Sequence, residues 1–183
     1  MATEFVRLDF APGWATTNEN LIELAGLFDG QRLHWTPSEG EWSAREIFAH
    51  LVMARYHGPI ASADDMARLR EVAGSCETLD GIQRELRSSW EMLARFLSDQ
   101  TMLEALYDSG ERRGSRLPAP PLLGSVERAA AGLDLGYVDH PDRYTGHYIA
   151  YHRFAHDLHH RSTLVGYLSQ LGVTLDGHRI RPL

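Results

Sequence analysis

Three of the chain's ten histidines, His152, His156 and His160, stand four residues apart in a stretch of helical periodicity. Residues i and i+4 share a helix face with Cβ atoms about 5–6 Å apart, so two imidazoles spaced this way converge on one cation. All three cannot do so. His152 and His160 lie roughly 12 Å apart along the axis at about 1.5 Å per residue, too far to share an ion with Zn–N bonds of about 2.0–2.1 Å. One helical pair plus a third ligand from elsewhere in the chain is the arrangement to look for. Chance alone gives roughly 0.5 such pairs in a chain with this many histidines, a measure of how weak short motifs are. Two are present, and the competing reading is a solvated, histidine-rich helix face.

The elements that must position these residues are helical, since 3.6-residue periodicity dominates and strand alternation is nearly absent. The first helix is expected from Thr17 to Phe28, with Leu21, Leu24, Ala25 and Leu27 as its apolar stripe and Gly30 as its stop. The second starts at Ser43, because Ser43-Ala44-Arg45-Glu46 has capping-box spacing, and Ile47, Phe48, Leu51 and Val52 follow as its core face. A short helix is expected over Asp64 to Val72. A third long one runs from Thr78 to Leu97 along Ile82, Leu86, Trp90, Leu93 and Leu97, broken by Asp99 and Gln100. The segment from Asp108 to Arg143 is rich in Gly and Pro and reads as a long irregular insertion with a short helix after Ser125. The last helix spans Thr145 to Leu171, closed by Gly172, with Ile149, His152, His156, His160, Leu164, Tyr167 and Leu171 as its inward stripe.

Four helices of this length make an all-α, up-down bundle, in which sites are built from side chains on facing helices. Histidines that interrupt an apolar row need partners there. His50 is the best third ligand, since it lies between Ile47 and Leu51 in the core-facing sector of the second helix. His57 shares that face at the frayed end, and His34, His140 and His147 remain as alternatives in loops or at a helix start.

The run Glu41-Trp42-Ser43-Ala44-Arg45-Glu46-Ile47-Phe48-Ala49-His50-Leu51, followed about a hundred residues later by His156-Asp157-Leu158-His159-His160-Arg161 and Tyr167-Leu168-Ser169-Gln170-Leu171-Gly172, resembles the DinB/YfiT-like metalloenzymes over most of the chain. The resemblance implies one domain, residues 1–183, folded as a down-up-up-down four-helix bundle and usually dimeric. It implies His50, His156 and His160 as ligands of a divalent ion such as zinc, nickel, iron or manganese. Some family members act as S-transferases or isomerases on low-molecular-weight thiols such as bacillithiol or mycothiol, so a small-molecule substrate of that kind is implied here. The chain departs from the family pattern at Ser162-Thr163, where Gly-Gln is frequent, and in the long 108–143 insertion.

His156-Asp157-Leu158-His159-His160 is one methylene from the zincin H-E-x-x-H motif. That reading fails because aspartate is shorter than the general-base glutamate and no glutamate follows Glu127 to act as a downstream ligand. Asp157 is then expected to be a solvated residue beside the ligand face. Three neutral imidazoles leave a divalent ion with an open position, the arrangement of catalytic sites. Glu46 is expected to close the capping box, with a hydrogen bond to His50 as its alternative role. His152 is expected as a core histidine or as an acid or base near the ion. Arg45, Arg55 and Arg153 are expected on solvated surface, with capture of an anionic substrate as the alternative.

Composition bounds the rest. The chain has 183 residues, 43% hydrophobic, enough for a core that does not depend on a metal. Its net charge of −7 and the lack of a basic stripe argue against nucleic acid as a partner. Residues 1–10 lack a signal-peptide succession and no 18-residue apolar run is present, so a cytoplasmic location is expected, without membrane contact. Cys76 is the single cysteine, which excludes an internal disulfide and a cysteine-based zinc site. It reads as a small filler, with no activating neighbour. A hydrolase, or a bundle that binds a metal or small ligand without catalysis, stands beside the transferase as a function compatible with this pattern.

Overall fold

The computed structural model describes residues 11–56, 71, 72, 74–108 and 143–175. Helix α1 covers Ala11–Leu27, a 3-10 turn covers Gly30–His34, α2 covers Ala44–Tyr56, α3 covers Leu79–Ser98, α4 covers Gln100–Glu104 and α5 covers Gly146–Gln170. The described residues are mostly helical, as the periodicity requires. Helix α1 starts well before Thr17, because Pro12 stands in its first turn, where a missing N–H costs nothing. Most of the Asp64 to Val72 helix, and the one expected after Ser125, fall outside the described residues.

Local chemistry sets the ends. Glu46 Oε2 accepts from the Ser43 backbone N–H at 2.7 Å while Ser43 Oγ accepts from the Glu46 N–H at 3.3 Å, which is the reciprocal capping box. Thr78 caps α3 by accepting from the Gly81 N–H, and Thr145 caps α5 by accepting from the Tyr148 N–H. Asp99 ends α3 and caps α4, accepting from the Thr101 and Met102 N–H groups. At the far end of α5, Val173 N–H donates to Leu168 O and Gly172 N–H to Ser169 O, a Schellman closure that needs the left-handed φ of +72° that Gly172 supplies.

The residues on either side of the 109–142 segment pair as antiparallel strands, β1 (Leu106–Asp108) with β2 (Arg143–Thr145), in the register Leu106 opposite Thr145 and Asp108 opposite Arg143. Periodicity gave no sign of them, because three residues are too few to alternate visibly. A Cβ on Gly146 would lie 2.2 Å from Met102 O, so only glycine lets α4 cross this close to the start of α5.

Helix α1 packs against α3 and α5, and α2 packs against the same two. Trp14, Leu21 and Leu24 of α1, Phe48 and Leu51 of α2, Ile82, Leu86 and Leu93 of α3, and Ile149, Leu164 and Leu168 of α5 join in one buried cluster. Each such side chain contributes about 1.5–3 kcal/mol by leaving water. The most buried row of α5 is not the expected histidine stripe. It runs through Ala150, Asp157, Arg161, Leu164 and Leu168, and the histidines lie half-buried beside it.

Candidate metal centre

Helix α2 carries His50 one turn after Glu46, and α5 carries His156 and His160 on adjacent turns; the packing of α2 on α5 brings the three imidazoles together. One nitrogen from each lies within 4.8 Å of the others. His50 Nε2 and His156 Nε2 are 2.9 Å apart, although 106 residues separate them in the chain. The rings of His156 and His160 meet edge to face with centroids 4.5 Å apart, and those of His50 and His160 do so at 5.0 Å.

The donor set fits a divalent ion. A tetrahedral ion with bonds near 2.0–2.1 Å sets its nitrogens about 3.3 Å apart, a separation the observed spacings of 2.9 Å to within 4.8 Å bracket. Burial, reinforced by the neighbouring His156, holds His50 below the ordinary histidine pKa. Burial also lowers His160, to about 3, with further lowering from His156, His50 and His159 outweighing the opposing effect of Asp157. Both rings are therefore neutral at pH 7, the form that binds metal.

Asp157 corrects the sequence reading most sharply. It is 1% exposed, not solvated, and its carboxylate is the centre of a buried polar network. Oδ2 accepts from Trp14 Nε1 at 2.7 Å, from Arg55 Nε at 3.0 Å and from Arg55 Nη2 at 2.7 Å. Arg55 Nη1 in turn donates to Asn18 Oδ1 at 2.6 Å, Ser89 Oγ at 3.2 Å and Leu86 O at 3.3 Å. Trp14 of α1 and Arg55 of α2 thus meet at the one carboxylate of α5, and α3 reaches it through Arg55. Burial pushes the Asp157 pKa up, but the Arg55 charge, the nearby His156 and the hydrogen bonds from Trp14 and Arg55 more than offset this and hold it below the usual value. Oδ1 has no hydrogen-bond partner, and His156 Nδ1 lies 3.8 Å from it.

Arg55 is likewise buried, not on a solvated surface, while Arg45 pairs with Glu77 at a half-exposed position and Arg153 donates to the Arg55 backbone carbonyl. None of the three stands as a free anion receptor. The bonds that Glu46 accepts come from Ser43, which keeps its carboxylate low in pKa and assigns it to the cap. His152 lies outside the cluster and stacks on Tyr148 with rings 9° from parallel. His34 is exposed in the 3-10 turn, His147 is at the start of α5, and His57 and His140 fall outside the described residues. Cys76 is buried, and its thiol is pushed up to about 12 by burial and then by Glu85, so it is inert.

Trp42, which the sequence offers only within the motif that carries the resemblance, stands against the histidine cluster. Its ring lies 4.9 Å from that of His50 and 6.4 Å from that of His160, nearly parallel to the latter at 14°. It is 47% exposed, an unusual state for the largest apolar side chain. The signal that pointed to it was its position immediately before the helix cap. Comparison of the chain with family models, with curated proteins and with solved structures found no match.

Proposed function

We propose that this chain is a divalent-metal-dependent enzyme, a DinB/YfiT-like four-helix bundle in which His50, His156 and His160 hold the ion and leave coordination positions for a substrate. The observation that carries the reading is the convergence of one imidazole from α2 with two from α5. Imidazole ligands suit zinc, nickel, copper and iron alike. Such an ion supplies a positive charge that lowers the pKa of a group bound to it, whether water or a thiol.

The chain's own residues favour a thiol. Activation of water is helped by a nearby carboxylate that takes its proton, and the two carboxylates beside the histidines are committed elsewhere: Asp157 to Arg55 and Trp14, Glu46 to Ser43. A thiol brings its own acidic proton and loses it with less help. We therefore propose transfer of a low-molecular-weight thiol of the bacillithiol or mycothiol class, its sulfur bonding to an electrophilic carbon as a halide leaves or an epoxide ring opens. Trp42, flat and exposed beside His50 and His160, provides a wall against which an apolar electrophile can lie.

Cobalt-loaded protein tests this directly, since a thiolate on cobalt gives a near-ultraviolet charge-transfer band that oxygen and nitrogen ligands lack. Titration of bacillithiol, mycothiol and glutathione should raise the band with at least one of them. Addition of a halogenated aromatic or an epoxide should then yield a metal-dependent conjugate. No sulfur band and no conjugate would leave hydrolysis or ligand binding as the function of the site.

A further inference from the structure

His156 faces the other two imidazoles with one ring nitrogen and a buried carboxylate with the other. Its Nε2 is 2.9 Å from His50 Nε2, so Nδ1 points away, toward Asp157 Oδ1 at 3.8 Å. The three donors that reach Asp157 all land on Oδ2. That leaves Oδ1 as a charged, buried acceptor with no hydrogen bond of its own, which is costly unless a proton faces it. The proton that can do so is on His156 Nδ1.

We infer that Asp157 is the positioning residue of the site: its carboxylate, oriented by Arg55 and Trp14, holds His156 in the Nδ1–H tautomer and thereby turns an Nε2 lone pair toward the ion. The inference rests on the metal-site reading for its purpose, but its geometry stands in the metal-free protein. With no ion between them, two Nε2 atoms 2.9 Å apart share one proton. With the His156 proton on Nδ1, that shared proton belongs to His50, and His156 accepts.

Metal ligands commonly donate their second N–H to a carboxylate, which fixes the tautomer and raises the basicity of the ligating nitrogen. Here the carboxylate is itself immobilised from two other helices. Trp14 on α1 and Arg55 on α2 fix Oδ2, while Asn18 and Ser89 hold the far side of the guanidinium. The orientation of one ligand on α5 is thus set by side chains from α1, α2 and α3.

Asp157→Asn is the informative change because it keeps shape and removes choice. The donors of Arg55 and Trp14 claim the amide oxygen, so the amide NH2 must face His156 Nδ1. That nitrogen becomes an acceptor, the proton moves to Nε2, and the lone pair turns away from the ion.

Nitrogen-15 NMR of histidine-labelled, chelated protein reads the tautomer, and competition titration with zinc reads affinity. The wild type should show His156 protonated on Nδ1, and D157N should show it on Nε2 with zinc affinity lowered about 10- to 100-fold. Leu24→Ala, a loss from the apolar cluster at a residue that takes no part in the network, should lower stability and leave zinc affinity within about twofold. Wild-type His156 protonated on Nε2 overturns the inference, even if D157N fails to fold. So does unchanged zinc affinity in D157N, or a loss of affinity in L24A as large as in D157N. If the wild type shows the Nδ1–H tautomer but binds no zinc or other divalent ion, the positioning stands and the metal-site reading fails.

Discussion

Tyr167 donates its hydroxyl proton to the backbone carbonyl of Trp42 at 2.9 Å, tying the last turns of α5 to the residue that precedes the cap of α2. Burial, then the nearby Glu41 and Glu46 carboxylates, raises the Tyr167 pKa and keeps that proton in place. The bond holds the Trp42 backbone beside the three histidines while its ring remains accessible.

Trp42 should therefore report on the site. Cobalt binding is expected to quench tryptophan fluorescence in an amount that saturates near one ion per chain. Trp42→Phe should remove most of that quenching while metal content stays unchanged. Quenching of equal depth in the variant would place the reporting indole elsewhere.

Metal content should follow the geometry residue by residue. Alanine at His50, His156 or His160 is expected to reduce bound zinc at least tenfold, because two imidazoles hold an ion poorly where three converge. His152→Ala and His159→Ala should retain it. Elemental analysis of the purified variants is the measurement, and full zinc content in His50→Ala would take α2 out of the site.

The Arg55–Asp157 pair should behave as a buried pair does. Arg55→Met leaves the carboxylate charged and without its counter-ion, and is expected to cost about 3–5 kcal/mol in denaturant melts. Asp157→Leu added to Arg55→Met should recover much of that loss, since an apolar pair of similar volume removes both desolvation penalties. A loss below about 1 kcal/mol for Arg55→Met would place the pair in water.

Acid should destabilise the metal-free protein in two stages. His50 and His160 have folded pKa values below the unfolded value of about 6.5, so the unfolded chain takes up protons first. Stability is level above about pH 6.5 and falls from there toward about pH 3. Asp157, also lowered, adds a contribution present above about pH 4 and lost as pH falls below it. His160→Gln should flatten the upper stage and leave the lower one. An unchanged slope between pH 6.5 and 4.5 in that variant would show that His160 does not titrate abnormally.

Chelation should leave the fold intact. The apolar cluster draws on α1, α2, α3 and α5 and includes no imidazole, so far-ultraviolet helical signal and a cooperative melt are expected to survive removal of metal. Unfolding on chelation would make the site structural.

Signals that act over a few residues were legible in the sequence. Ser43 and Glu46 marked the start of α2, Gly172 the end of α5, and the i, i+4 spacing the pairing of His156 with His160. His50 followed from its place on the core-facing sector of α2. The buried network was not legible, because Arg55 and Asp157 are 102 residues apart and each alone has the character of a surface residue. A charge reads as buried only when its partner is known. The histidine stripe was displaced for the same reason: the row beside it, with Asp157 and Arg161, is the more buried of the two.

The antiparallel clasp of β1 and β2 brings the chain back at residue 143 to the point where it departed at residue 108. Whatever lies between them is a closed excursion whose two ends are fixed to each other and, through Gly146, to α4 and α5. Loop-closure entropy grows only with the logarithm of length, about 0.6 kcal/mol for each doubling. The clasp, rather than the length of chain between residues 108 and 143, therefore fixes where α5 starts. Variants differing only between residues 109 and 142 are then expected to leave His50, His156 and His160 where α2 and α5 place them.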